Sequence, residues 1–184
     1  MASELRVDRI APLNGIASVT QSLGGNASGG IIQIRQSNTN GLTFANAESP
    51  SAAWTATGII GTITPIRSDS KIFIISSPSV MVYQNSGNQS NGSIKIMRSI
   101  DGGAYTECSP VTIGSQSGNY DYGSSGLITY SNVCITGFDE PNTTQSISYQ
   151  IYVKRLGGSG IRMGYQLTSD IGSNGYITMM EVAG

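Results

Sequence analysis

The sequence contains no histidine, only two cysteines and few charged residues, which make up 11% of its 184 residues. Without histidine, Ser-His-Asp and Cys-His catalysis, His-containing zinc sites and a switch at physiological pH are all excluded. Two cysteines cannot supply the four thiolates of a structural zinc site. A pair of carboxylates is therefore the one enzymatic option that remains, and we expect no cofactor and no metal.

The sequence also lacks a basic patch and a long apolar run. Its net charge is -1, and its ten Lys and Arg residues are scattered along the chain, so nucleic-acid binding is not expected. The longest apolar stretches, such as Ile72 to Ile75, are far too short to cross a bilayer, and no basic start precedes an apolar segment. We expect no membrane insertion, and synthesis in a cytoplasm without a standard signal peptide.

The two cysteines, Cys108 and Cys134, leave two alternatives open. They could form a disulfide if their strands are adjacent. The alternative is two free thiols. It is favoured, because proteins assembled in a cytoplasm usually keep thiols reduced and a buried Cys is a common core residue.

Ser, Thr, Asn, Gln and Gly together make up nearly half of the chain, which suits a protein that functions outside cells or on a particle. From Ile31 onward, apolar residues alternate with polar ones between turn clusters, a pattern typical of an all-β sandwich or barrel. We predict an antiparallel, jelly-roll-like β-sandwich over residues 31–184, preceded by an extended arm and Gly-rich linker over residues 1–30. The predicted strands are Ile31 to Gln36, Leu42 to Ala45, Ile59 to Thr64, Lys71 to Tyr83, Ser93 to Ile100, Ala104 to Ser109, Leu127 to Thr136, Ser146 to Leu156, Ile161 to Thr168 and Tyr176 to Val182.

Three local patterns refine this prediction. The alternation from Ile147 to Val153 places four apolar side chains on one face, which predicts a central strand. Asp101-Gly-Gly103 tolerates the positive φ of a tight turn and predicts a β-hairpin. Pro65 with Asp69 predicts a turn, and the stretch from Gly157 to Gly160 reads as a third hairpin connection.

The N-terminal segment can be interpreted in two ways. Its alternation, with Leu5 and Val7 opposite Glu4, Arg6 and Asp8, fits an extended arm that is added to a neighbouring sheet. The alternative is a frayed terminus.

Few residues of the sequence are candidates for a catalytic or sugar-binding role. Asp139-Glu140 lies next to Pro141 and is interpreted as an acidic turn, while Glu181 has no motif around it. Trp54, the only tryptophan, is interpreted as a core or interface plug and not as a sugar-stacking platform. We therefore expect no catalysis.

Four segments of the sequence are similar, in order, to one protein family. They are Ser3-Glu-Leu-Arg-Val-Asp-Arg-Ile10, Gly30-Ile-Ile-Gln-Ile34, the stretch from Trp54-Thr-Ala-Thr-Gly58 through Ile63-Thr-Pro65 to Ser70-Lys-Ile72, and Ile177-Thr-Met-Met-Glu-Val-Ala183. In these segments the chain resembles the virion structural proteins of marine tailed phages, especially cyanophages, which include tail-fibre and fibre-like proteins. Residues from about 80 to 170 are similar to this family only in the spacing of their predicted strands.

The resemblance implies a non-enzymatic virion component assembled in the host cytoplasm. It implies a homotrimer whose outward-facing β domain contacts the host surface. It also implies an arm that attaches to other virion proteins of the tail, baseplate or capsid through Glu4, Leu5, Arg6, Val7, Asp8, Arg9 and Ile10.

Two other functions remain open from the sequence. A capsid decoration or head-fibre protein would use the same arm to bind the shell. A carbohydrate-binding module would stack aromatic side chains on host glycans, and Tyr120 and Tyr122, in a Gly/Ser-rich loop, are the candidates for receptor contact.

Overall fold

The computed structural model describes residues 29–37, 47–49, 52–83, 90–119, 128–157, 160–163 and 175–184. Within these residues the chain forms strands and no helix. The strands are β1 (Ile31–Gln36), β2 (Ala47–Ser49), β3 (Thr55–Ile63), β4 (Lys71–Ser76), β5 (Ser79–Tyr83), β6 (Ser90–Ile100), β7 (Thr106–Glu107), β8 (Gly114–Asn119), β9 (Ile128–Asn132), β10 (Ile135–Asp139), β11 (Ile147–Gly157), β12 (Gly160–Met163) and β13 (Ile177–Val182).

These strands form three antiparallel sheets. The first sheet has the order β1-β13-β4-β10, and the third has the order β2-β12-β5-β9. In the second sheet, β11 lies between β3 and β6, and the far edge of β6 pairs with both β7 and β8. The predicted all-β class, the antiparallel pairing and the sandwich are confirmed.

The core lies between two layers, of which one is the second sheet and the other consists of the first and third sheets. Alternate residues of β11 are fully buried, as predicted for Ile147, Tyr149, Ile151 and Val153, and the strand is central. Ile72 and Ile74 on β4 and Val80 and Val82 on β5 are fully buried in the same cluster. Burying each such side chain contributes about 1.5 to 3 kcal/mol.

The two layers approach each other closely at Gly61. A Cβ atom there would lie 2.8 Å from the terminal methyl of Met179 and 3.3 Å from Cβ of Ile177, both on β13. Because protein interiors are close-packed, a larger residue at position 61 would require the end of the Met179 side chain to move and the contact with Ile177 to lengthen by a few tenths of an ångström.

The prediction of one continuous strand from Lys71 to Tyr83 is wrong. The segment forms two strands, β4 and β5, which belong to different sheets. Pro78 lies at the break and has no N–H to donate to a ladder. The predicted strand from Leu127 to Thr136 divides in the same way into β9 and β10. The N–H of Val133, between β9 and β10, donates to the carbonyl of Pro78, between β4 and β5, at 3.1 Å. This hydrogen bond links the two connections.

Two predicted connections have different outcomes. The hairpin at Asp101 is confirmed, because Asp101 and Gly102 have φ of 50° and 73° and Gly103 N–H donates to Ile100 O at 2.9 Å. The hairpin across Gly157 to Gly160 is wrong, since β12 pairs with β2 and β5 and not with β11. Both edges of β11 are already occupied by β3 and β6, so β12 pairs in the third sheet.

Other strand boundaries differ from the predicted ones, because pairing with a neighbouring strand determines them more than the local amino-acid composition does. The predicted strand from Ala104 to Ser109 is only Thr106–Glu107, and two strands were missed. One of these, β8, has the sequence GSQSGN without apolar alternation, yet it pairs along β6 from Ser90 to Lys95. The predicted strand from Leu42 to Ala45, residues 164–168 of the predicted strand that starts at Ile161, and residues 1–28 lie outside the described residues.

The described cysteines are both unpaired. Cys108 is buried in the core, and its thiol lies 3.6 Å from the carbonyl oxygen of Ile96, whereas Cys134 is exposed. The favoured alternative, two reduced thiols with a buried Cys in the core, agrees with this arrangement.

The buried thiol predicts a loss of stability at alkaline pH. Burial, assisted by the charge of Asp139, raises the pKa of Cys108 from its ordinary value of 9.0 to about 12. Between these values the unfolded chain binds fewer protons than the folded one, so the free energy of unfolding falls as the pH rises. The fall is at most about 1.4 kcal/mol per pH unit for this group.

Urea unfolding at several pH values above 9 would measure this slope. Cys108→Ala should make the slope shallower by up to that amount, whatever its effect at neutral pH. Ile96→Val, which removes buried volume but no titrating group, should keep the wild-type slope. A Cys108→Ala slope equal to that of the wild type would contradict the prediction.

Candidate functional site

The candidate residues from the sequence fall largely outside the described structure. Glu4 to Ile10 of the arm and the candidate receptor contacts Tyr120 and Tyr122 lie outside the described residues. The described residues instead show three features that could carry function: two buried carboxylates, a groove beside Trp54, and an apolar row on the outward face of the first sheet.

The first buried carboxylate is Asp139, at the end of β10, and it has no exposed surface. It accepts hydrogen bonds from the guanidinium of Arg98, from the N–H of Ser109 at 2.8 Å and from the hydroxyl of Tyr149 at 2.7 Å. The interpretation of Asp139-Glu140 as an acidic turn was therefore wrong for Asp139, because the alternation of β10 turns its side chain inward.

This cluster fixes the protonation of Tyr149. Burial, followed by the negative charge of Asp139, raises the pKa of Tyr149, so its hydroxyl remains protonated and donates to the carboxylate. A buried charge is tolerated only when it is paired and hydrogen-bonded, and Asp139 meets both conditions. The arrangement links the first sheet to β6 and β11 of the second.

The second buried carboxylate is Glu181 on β13, which is also fully buried. It accepts from the side-chain amide of Gln33 at 2.6 Å and from the N–H groups of Ile66 and Arg67 at 2.8 and 3.1 Å. It therefore holds the turn after β3, which Pro65 and Asp69 predicted, against the first sheet.

The two carboxylates are at one level of the first sheet. Asp139 and Glu181 both pair in register with Ile72, from opposite sides of β4. Because neighbouring strands lie about 4.8 Å apart, the two positions are roughly 10 Å apart. Both groups are inaccessible to solvent and occupied by protein donors, which suits them to holding the layers together and not to attacking a substrate.

The second feature is an open groove of about 320 Å³ on the outward side of the second sheet, lined on one side by Trp54. The tryptophan precedes β3 and is half-buried, and it does not belong to the buried core cluster. Of the core or interface plug expected from the sequence, the core plug is therefore wrong, while the interface plug stays a prediction. The ammonium of Lys95 lies 4.4 Å from the centroid of the indole ring, and that of Lys154 lies 5.8 Å from it. Both distances are within the range of cation–π attraction.

The opposite side of the groove is polar. The ammonium of Lys95 donates to Glu107 at 2.7 Å, and the other carboxylate oxygen of Glu107 accepts from the hydroxyl of Thr112 at 2.7 Å. The hydrogen bond from Lys95, followed by that from Thr112, lowers the pKa of Glu107, so this carboxylate is charged at neutral pH. The side chain of Lys95 is only 8% exposed, whereas that of Glu107 is 53% exposed.

Two tyrosines continue this outward surface. The rings of Tyr105 and Tyr152 lie 5.8 Å apart, and Tyr152 is paired in register with Lys95. Burial raises the pKa of Tyr105. These aromatic and basic side chains therefore occupy one face of the central strands, opposite the core.

The third feature is a row of apolar side chains across the first sheet. Phe138, Phe73, Met180 and Ile34 are in register from β10 through β4 and β13 to β1. The rings of Phe73 and Phe138 lie 4.7 Å apart, and Phe138 and Ile34 remain 46% and 55% exposed. This apolar row is on the outward face, because Ile72, Ile74 and Met179 next to it point into the core.

Two further features are absent from the described residues. In them, no three His, Cys, Asp or Glu side chains gather as a metal site would require. The same part of the chain contains no helix with the length and apolar character of a membrane span.

No protein-family model matches the sequence, and no curated protein matches it. Similar solved structures include those of infectious bursal disease virus, Gx strain (12% identity, 83% of this chain, TM-score 0.38) and Gt strain (12%, 86%, TM-score 0.34). This chain spans 33% and 39% of those two chains. Eiger TNF from S. frugiperda is 10% identical over 82% of this chain and 92% of its own, with a TM-score of 0.28. At these TM-scores the similarities carry no argument about family or function.

The Asp139 cluster predicts a large effect of one substitution. Asp139→Ala leaves the half-buried guanidinium of Arg98 without its partner, and we expect a loss of about 3 to 5 kcal/mol in the free energy of unfolding, measured by urea titration. Arg98→Met combined with Asp139→Leu should be less destabilised than Asp139→Ala, because it leaves no unpaired charge.

The matched control is the neighbouring residue. Glu140→Gln removes a half-exposed ion pair with Lys71 at 2.8 Å, and its effect should be far smaller. A similar loss of stability for Asp139→Ala and Glu140→Gln would show that the Asp139 cluster does not stabilise the sandwich.

Proposed function

We propose that this chain is a non-enzymatic structural protein of a virus particle. In the more specific form of the proposal, it forms a short trimeric fibre or fibre-like appendage of a tailed phage, and its sandwich faces outward and contacts the host surface. The observation that carries the proposal is the apolar row on the first sheet, together with buried carboxylates that are fully occupied by protein donors.

The apolar row is unusual for the surface of so polar a chain. Its four members form a continuous outward band, flanked by Ile75 and Val182, which are also partly exposed. Contiguous exposed apolar surface on a soluble protein marks an interaction site more often than isolated apolar residues do. The band therefore suits burial against another protein.

A second copy of the same chain is the partner that this surface fits. The outward face contains little charge, and Lys71 at its margin is already paired with Glu140. Subunit interfaces of homo-oligomers are apolar at their centre and depleted in charge. The number of three copies follows from the resemblance to phage fibre proteins, and a closed ring of copies requires each interface to be repeated.

The N-terminal arm completes the proposal. Ordering the backbone of Glu4 to Ile10 costs about 1 to 2 kcal/mol per residue, and an isolated seven-residue segment cannot recover this cost. We propose that contact with another virion protein supplies it. A capsid decoration protein would use the same arm on the shell, and electron microscopy of the particle distinguishes the two locations.

The trimer can be tested with one substitution. Multi-angle light scattering of the full chain should give about three times the chain mass of 19.2 kDa, and Phe138→Asp should reduce it towards 19.2 kDa by placing a charge within the apolar row. Ile34→Asp, on the exposed edge strand β1, should have the same effect, and circular dichroism would verify that both variants fold.

The control is Val111→Asp, which places the same charge on an exposed residue away from the apolar row. This variant should keep the mass of the wild type. A monomeric wild-type chain, or an oligomer that both Phe138→Asp and Ile34→Asp leave intact, would overturn the proposal that the row is a subunit interface.

A further inference from the structure

Two of the three lysines in the chain lie against its only tryptophan. Strand register brings the three residues together, because β11 pairs with β3 on one side and with β6 on the other. Val153 is opposite Thr55, next to Trp54, while Tyr152 is opposite Lys95. The cluster is therefore built on the central strands β6 and β11 of the second sheet and on the residue that precedes β3.

The two lysines are not equivalent. Lys95 is almost fully buried, and its ammonium is bound to Glu107. Lys154 is half-buried, and none of the carboxylates whose side chains the structure describes forms an ion pair with it. Lys95 is thus a fixed part of the groove, whereas the ammonium of Lys154 is available to a ligand near the indole ring.

The charges of the groove limit the class of ligand. Among the residues that line the groove, Lys95 and Glu107 balance each other. Lys154, outside that lining but 5.8 Å from the centroid of the indole ring, adds one positive charge, which one carboxylate on a ligand would balance. The charged carboxylate of Glu107 repels a polyanion such as a nucleic acid or a multiply charged phosphate. The hydroxyl of Thr112 already donates its one proton to Glu107. Its oxygen and the outer edge of Glu107 therefore both offer acceptors to the hydroxyl groups of a ligand.

We propose that this groove binds an acidic saccharide, a sugar ring that carries one carboxylate. The C–H face of the ring packs on Trp54, its hydroxyl groups bond to Glu107 and Thr112, and its carboxylate pairs with Lys154. The groove volume of about 320 Å³ is at the lower end of small-ligand sites, which suits one or two sugar rings.

This site deepens the proposed host contact, but the argument for the groove does not require a trimer or a particle. It also differs from the aromatic candidates of the sequence, Tyr120 and Tyr122, because it rests on Trp54 and two lysines. Loss of the oligomer in Phe138→Asp and loss of ligand binding in Lys154→Gln are separate measurements, so either proposal can fail alone.

The experiment uses the full chain and the fluorescence of its only tryptophan. Disaccharides that contain galacturonic acid or sialic acid are titrated to millimolar concentration, with neutral galactose disaccharides as the matched probes. We expect a saturable change in Trp54 emission with at least one acidic probe, and weaker binding of its neutral counterpart. No change with any acidic probe overturns the proposal.

Three variants assign the roles. Lys154→Gln should weaken binding of the acidic probe by roughly tenfold while leaving neutral probes unchanged, since the removed interaction is a charge-assisted hydrogen bond. Trp54→Ala, followed by calorimetry, should abolish binding of both. Lys71→Gln, which removes the third lysine on the opposite layer, should bind as the wild type does. Equal affinity for acidic and neutral probes, or no effect of Lys154→Gln, overturns the assignment of an acidic sugar.

Discussion

The packing of the two layers depends on two buried carboxylates, Asp139 and Glu181, because each must be paired with donors to remain buried. Asp139 on β10 is bound by Arg98 and Tyr149 of the opposite layer, and Glu181 on β13 is bound by the turn that follows β3. Each group would be costly to bury alone, so each is stable only when both layers are in place. The layers are therefore coupled by polar contacts at both sides of Ile72 as well as by apolar packing.

Much of the fold could be predicted from local pattern. Alternation identified β11 as a central strand, and Asp101-Gly-Gly103 identified the hairpin after β6, because both signals depend on neighbours in sequence. The errors concern pairing between distant strands. The break at Pro78 and the departure of β12 to the third sheet depend on which edges were already occupied, and no local signal reports that.

The candidate site was harder to predict for the same reason. Lys95 and Lys154 are 59 positions apart in the sequence, and only the pairing of β11 with both β6 and β3 brings them to Trp54. Asp139 was misinterpreted because Glu140 and Pro141 beside it resemble a turn, although the alternation of Ile135 and Asp139 on β10 was a usable sign that both point inward.

The outward faces of the two layers carry opposite kinds of surface. The apolar row is on the first sheet, and the groove of Trp54 is on the second, so covering one does not require covering the other. A shallow, open groove binds weakly on its own. In an assembly of three copies, simultaneous engagement would raise the overall affinity for a dense layer of ligands through effective concentration, without any tighter individual contact.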